Sequence, residues 1–359
     1  MASAGTAITL GPTKGAFESL DSQEHLHLAL AQVYASDFDD EAAGSEATGF
    51  DKLKAYATKA AKDGADVVAF PEYFLTGAKI DTWNAVKSKG GPAPAALEGY
   101  RASGSRSNSI SVAESEGQEE KHWIEEVCEL AKELDINIIA GTVVELGHHV
   151  PTRQEVGGDE EGNLHNTAYF IGREGEIRGR YTKRCLWHPE RDPLTPGHSN
   201  THPSPLLFTF TTRRGKTLKA GMQICWDLAF PESFRSLLQV DSETGETDGP
   251  DIVFVPTCWF ATDAGEPGLR WNPSPAGEAA ILDALTMTRA LECESILCMI
   301  NIAGRTWSAE DDRKSAKELA EGAPIGVGRT TIVSPFVGSV GRLDGAEEGM
   351  LYASMNLKM

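Results

Sequence analysis

The sequence predicts an α/β fold built on mixed sheets, and three observations carry that prediction. Short β-rich runs alternate with amphipathic helical segments from Leu26 onward, the pattern of layered strand–helix units. Two of those runs are separated by REG at 173–175, a short connection ending in glycine that suits a hairpin and so puts antiparallel pairs into the sheets. The aperiodic stretches between units have too little flanking core to mark a boundary.

Taken in order, residues 1–24 read as a poorly ordered N-terminal extension and 25–359 as one domain. LHLALAQVYAS, starting at Leu26, opens the fold as a strand. Phe50, Leu53, Ala57 and Ala60 follow helical spacing, and Gly64 can end that helix. DVVAF (66–70) is a strand stopped by Pro71. Trp123, Val127, Leu130, Ala131 and Leu134 line a second helix, which leads into the strand INIIAGTVVEL (136–146). LHNTAYFIG (164–172) and EIRGRYTK (176–183) form the hairpin. Then come the strand AGMQIC (220–225), a helix from about Glu232 to Leu238 and the strand DIVFVP (251–256). A helix through AAILDALTMTRALE (279–292) precedes SILCMIN (295–301), and strands near GRTTIVS and MLYASMN close the chain. The stretches 85–118, 151–163, 241–250, 262–277 and 308–323 read as surface insertions rich in Gly, Ser, Pro and acidic residues.

The 359 residues carry a formal net charge of -20. Such an acidic surface repels phosphate backbones and anionic lipids, which argues against nucleic-acid and membrane partners. No apolar run approaches the ~18 residues of a spanning helix. The first residues lack the basic start and apolar core of a signal peptide. The six cysteines form no CxxC pair, so free thiols in a reducing, cytoplasmic setting are expected.

Cys225 ends an apolar strand and a helix follows within a few residues. A nucleophile there projects beyond the carboxyl end of the sheet, and a helix N-terminus nearby is expected to lower its thiol pKa. Glu72 lies just past another strand, after Pro71, where a carboxylate can take the thiol proton and later activate water. Lys183 ends the hairpin and can meet a developing oxyanion. Glu190, in a loop stiffened by Pro189, Pro193 and Pro196, can orient Lys183 and substrate. Singly, a buried cysteine, a helix-start carboxylate, a snorkelling lysine and a loop acid would account for them. Their order along the chain does not reduce to that.

That order, with Glu72 after Phe-Pro, Lys183 after a hairpin and Cys225 in Ile-Cys-Trp-Asp, resembles the nitrilase superfamily of carbon–nitrogen hydrolases. DIVFVPTCWF, Arg289-Ala290-Leu291-Glu292 and Asn301-Ile302-Ala303-Gly304 are similar to later landmarks of that family. The resemblance runs from about Leu26 to the C-terminus. It implies a nitrilase-like α-β-β-α sandwich with mixed sheets that forms four-layer pairs, hence a homodimer or larger homo-oligomer. It also implies a catalytic set of Glu72, Lys183 and Cys225, with Glu190 as a further acidic member.

Trp226, Trp259 and Phe260 are expected beside substrate, and Cys258 at the crevice border. The histidines His148, His149, His188, His198 and His202 show no HExxH or tight Cys/His set, so neither a metal nor another cofactor is expected. The expected activity is cysteine-dependent hydrolysis of a small neutral or cationic amide through a thioester. The alternatives are a nitrile substrate and a non-catalytic binding protein on the same fold. Phe230-Pro231-Glu232 resembles amidase branches, whereas Glu190-Arg191 resembles nitrilases. Ala229 stands where branches acting on dicarboxylic acid monoamides often carry arginine, which disfavours an acidic substrate.

Overall fold

Alternation along the first long strand sets the layering. Leu26, Leu28 and Leu30 pack into one apolar cluster with the second sheet, while Ala29, Ala31 and Val33 pack into another with the helices Gly49–Lys62 and Trp123–Leu134. A two-residue period presents the two sets to opposite faces. The computed structural model describes residues 13–14, 25–37, 49–89, 123–146, 163–197, 206–240 and 247–357. Most of the predicted N-terminal extension lies outside them, as do 90–118, 151–162 and 241–246 of the predicted insertions.

The first sheet contains β1 (Thr13–Lys14), β2 (His25–Gln32), β3 (Val67–Ala69), β4 (Asn137–Leu146), β5 (Leu164–Ile171) and β6 (Ile177–Thr182). The second contains β7 (Leu207–Thr211) and β8 (Thr217–Met222); β9 (Gln239–Val240) and β10 (Thr247–Asp248) pair only with each other. It continues with β11 (Ile252–Thr257), β12 (Ile296–Asn301), β13 (Thr331–Ser334) and β14 (Gly338–Arg342), and β15 (Gly349–Asn356) returns to the first sheet. The orders are β1-β15-β2-β3-β4-β5-β6 and β14-β13-β12-β11-β8-β7.

In each sheet the centre is parallel (β2, β3, β4; β8, β11, β12) and antiparallel strands flank it. The central strands are buried on both faces, which is why VVA, IVFV and ILCMI read as continuous apolar runs. Helices Pro231–Arg235 and Ala276–Cys293 complete the outer layer of the second sheet, with Phe234, Leu282, Ala290 and Cys293 in its cluster. The result is the mixed-sheet α-β-β-α sandwich the sequence predicts. Each fully buried Leu, Val, Ile or Phe contributes about 1.5–3 kcal/mol to holding the layers together.

Differences from expectation are local. The strand before Cys225 ends at Met222, and the helix beyond it spans only Pro231–Arg235. The predicted insertion 85–118 begins inside a helix, Ile80–Lys89, and two others contain whole helices, Gly265–Trp271 and Ala316–Glu321. Each of these two buries one leucine, Leu269 and Leu319, in the main core cluster. One apolar anchor per helix is too little for a periodic signal, so tertiary packing decides these segments. A helix at Ile80–Lys89 and strands β7 and β14 also carry too few patterned residues to have been predicted.

Candidate active site

The carboxyl ends of β3, β6, β8 and β11 converge on one rim. Glu72 stands in the turn after β3, Lys183 directly after β6, Cys225 three residues beyond β8 and Cys258 directly after β11. The Glu72 turn is seated against β4. Gly141, at φ 77, lies so close that an added Cβ would stand 2.0 Å from the Pro71 carbonyl oxygen, and the Tyr73 N–H donates to Thr142 Oγ1 at 3.0 Å. Only glycine allows this approach, and the β4–β5 register shifts between Ile139 and Thr142 to accommodate it.

Lys183 is the hub. Its Nζ donates to Glu72 Oε1 at 2.8 Å and to Glu190 Oε1 at 2.7 Å, and all three side chains are at most 2% exposed. Glu72 Oε1 also accepts from Asn166 Nδ2 at 2.8 Å, and Oε2 from the Cys258 N–H at 2.9 Å. Glu190 accepts from the Tyr73 hydroxyl and, at 2.6 Å, from the Trp187 N–H. Burial pushes the Glu72 carboxyl up to about 7; Lys183 pulls it down and Glu190 pushes it up. Burial opposes the charge on Lys183, but Glu190 and then Glu72 hold its pKa well above the usual lysine value. The cluster therefore holds a firmly charged lysine beside a carboxyl poised near neutrality.

Cys225 opens a 3₁₀ turn, Cys225–Ala229, with its backbone at φ 44. A left-handed cysteine is strained, and such strain at a strand-to-helix elbow presents the side chain outward. The elbow is held by Asp227. It accepts from the Ile224 N–H at 2.9 Å, the Cys185 N–H at 2.9 Å and the Tyr181 hydroxyl at 2.9 Å, so one carboxylate joins the cysteine turn to the strand that carries Lys183. The thiol donates to the Cys258 carbonyl oxygen at 3.8 Å and shares the cavity lining with Glu72. The expected lowering of its pKa is not met. Burial, then the charge of Glu72, push the thiol well above its ordinary value, with Lys183 offsetting part of this. The helix Pro231–Arg235 starts too late and is too short to compensate.

A cavity of about 680 Å³ opens over this rim. Glu72, Lys183, Glu190 and Cys225 line it, as do Trp226, Trp259, Phe260 and Cys258. All the residues singled out from the sequence as site members thus meet around one space. Trp226 and Trp259 pack at 5.3 Å between ring centroids. His188 packs edge-on against Trp226 at 6.4 Å, while His148, His149, His198 and His202 lie outside the described residues. Among the described residues no group of three or more His, Cys, Asp or Glu is arranged to hold a metal ion. Asn166, Tyr73, Asp227, Asp263 and Glu278 were not singled out. Several of their partners sit far away in sequence, as Asn166 and Glu72 do at 94 residues apart, while Asp263 and Asp227 also bond a backbone N–H three residues before them.

A strand-end thiol over a buried Glu–Lys–Glu cluster, on this sandwich, defines a class of enzyme. The chain belongs to the carbon-nitrogen hydrolase family, whose model matches residues 28–359. Solved structures of similar fold include a mutant of the amidase from Nesterenkonia sp. AN1 showing covalent addition of the acetamide moiety of fluoroacetamide at its active-site cysteine. It is 18% identical, covers 93% of this chain and 92% of its own, and has a TM-score of 0.58. Saccharomyces cerevisiae Nit3, a member of branch 10 of the nitrilase superfamily, is 17% identical, with 93% and 90% covered and a TM-score of 0.57. At these identities the likeness establishes the shared fold. In sequence, an (R)-stereoselective amidase from Pseudomonas sp. is 31% identical over 83 residues, which is 23% of this chain and 26% of that protein.

Proposed function

We propose that the protein hydrolyses a small neutral or cationic amide through a thioester on Cys225. The observation that carries this reading is Glu72, bonded to Lys183 and lining one cavity with Cys225, its carboxyl raised to about 7. Because the resting thiol is held protonated, attack depends on proton transfer to Glu72 as the carbon–sulfur bond forms. The carbonyl electron pair moves onto oxygen. There Lys183 Nζ and the Trp226 N–H, which precedes the first bond of the 3₁₀ turn (Asp227 N–H to Ile224 O, 3.0 Å), stabilise it. Collapse breaks the carbon–nitrogen bond, and Glu72 returns its proton to the departing ammonia or amine. Water then attacks the thioester and gives a proton to Glu72, which passes it to the departing sulfur, so that the carboxylic acid leaves and the thiol is restored. Glu190 holds Lys183 in place from the other side.

An ammonia-release screen over amides and nitriles, with Cys225→Ala as control, tests the reading; full turnover by Cys225→Ala would end it. A nitrile substrate is the second reading, motivated by Glu190-Arg191 following Lys183. Preference for nitriles over matched amides throughout the panel would select it. An inert thiol toward an electrophilic substrate mimic would favour a binding protein instead.

The same proposal treats residues 25–359 as one catalytic domain that pairs with a second copy of itself. Met287 and Leu291 on the helix Ala276–Cys293, and Phe336 and Val337 at the β13–β14 turn, are 45–78% exposed. An added Cβ at Gly338 would stand 3.9 Å from Met287 Sδ, so helix and turn form a continuous apolar face. All six cysteines are free and no helix of the described residues is long and apolar enough to cross a membrane, which suits the proposed cytoplasmic setting.

A further inference from the structure

The cavity wall carries two acids for which the chemistry above has no use. Asp263 and Glu278 both line the space that holds Cys225. The Asp263 Oδ2 accepts from the Phe260 N–H at 2.8 Å, and Glu278, 6% exposed, accepts from Trp259 Nε1 at 2.7 Å through Oε2. These donors fix both carboxyls to the segment that follows β11, directly after Cys258. Neither acid has an ion-pair partner among the described residues.

Asp263 is half-buried and Glu278 buried, and several other buried acids of the molecule are answered by a cation or by several donors. Glu72 and Glu190 share Lys183, Asp66 meets Arg214, and Asp311 meets Arg305 and Lys314. Asp227 takes three donors. A buried carboxyl left without a counter-charge is costly. Here burial, with Glu278 adding to it against the Phe260 N–H, pushes the Asp263 carboxyl up to about 8. Burial also raises Glu278, against the Trp259 donor. Lys183, already held by two carboxylates, offsets only part of the rise at Asp263.

The remaining lining is aromatic and apolar. Trp83 and Tyr73 pack at 4.7 Å, Trp226 and Trp259 at 5.3 Å, and Trp187, Phe260, Ile281 and Leu285 join them. A volume of about 680 Å³ far exceeds a two- or three-carbon acyl group. Aromatic faces beside acids suit an ammonium, through cation–π contact and charge together.

Resting on the amidase reading above, we infer that Asp263 and Glu278 form a cation subsite of the catalytic cavity, so that the substrates are amino-substituted amides with a bulky apolar or aromatic acyl group. The subsite selects by charge and the aromatic wall by bulk.

The test compares kcat/KM on phenylalaninamide against 3-phenylpropanamide, and on 6-aminohexanamide against hexanamide. The amine of at least one pair should be preferred roughly 10- to 100-fold, the range for a hydrogen bond to a charged group. That ratio should fall toward one in both Asp263→Asn and Glu278→Gln. Neutral amides preferred in both pairs, or a ratio unchanged in both variants, would overturn the inference while leaving amide hydrolysis in place. A second measurement needs no turnover. Phenethylamine should protect Cys225 of the parent protein from iodoacetamide at a concentration roughly 10- to 100-fold below that required of 2-phenylethanol. Equal protection by the two would sink the subsite even if no amide is hydrolysed. Amine-selective protection without hydrolysis would keep the subsite and reject the amidase reading.

Discussion

Lys183 is 1% exposed and bonded to two carboxylates, so its removal acts on folding as well as on rate. Lys183→Ala strands Glu72 and Glu190 without their cation, and breaking such a buried pair costs about 3–5 kcal/mol. Rate should fall as well, by roughly 10²–10³, the effect of losing one oxyanion donor. Denaturant melts and kcat on the surviving folded fraction separate the two losses, and activity within a few-fold of the parent would remove Lys183 from the mechanism. In the proposed mechanism Glu72 sets the pH dependence. Its pKa is raised to about 7, so below that pH the carboxyl is protonated and cannot accept the thiol proton. We therefore expect kcat/KM to rise about tenfold per unit from pH 5 toward 7 and level off above it. A flat profile across that range would show that Glu72 is not the base. Intact-mass analysis after rapid quench should find a substrate-derived adduct on Cys225 and none on Cys225→Ala.

At the scale of elements, the turn after β3 and the strand β4 depend on each other through Gly141. Alanine there meets the Pro71 carbonyl oxygen at 2.0 Å and must adopt φ 77. Backbone strain of that kind costs about 1–3 kcal/mol before the clash is counted. Gly141→Ala should lower both the melting temperature and kcat, because relief of the clash moves Glu72. A parent-like kcat would mean that the turn is not what positions the carboxylate. The same elements show what a sequence discloses. β2, β3, β4, β11 and β12 were legible because burial on one or both faces writes alternation or unbroken apolar runs into them. Glu72, Lys183 and Cys225 were legible because each follows such a strand. Asp227 was not, for its three donors come from two separate segments, and an acid inside Cys-Trp-Asp reads as ordinary polarity. The elbow itself misled. A helix following the cysteine suggested an acidic thiol, but burial beside Glu72 outweighs a five-residue helix that begins at Pro231.

For the whole molecule, the exposed face of Met287, Leu291, Phe336 and Val337 bears on assembly. Leu291→Lys combined with Val337→Lys should halve the mass seen by light scattering if copies pair across that face. An unchanged mass would place pairing elsewhere. The two helices Gly265–Trp271 and Ala316–Glu321 have a different consequence. They and the residues around them wall the outer side of the cavity, through Thr262, Asp263, Gly265, Ala320, Gly322 and Pro324, yet none of the four residues at the catalytic rim belongs to them. On the proposed reading the reacting groups are anchored to strand ends that the core fixes, whereas part of the recognition wall hangs on short segments tethered by a leucine apiece. Such a molecule is modular under selection. On that reading its diet drifts through changes in those segments while the thiol, the acid and the lysine stay in place.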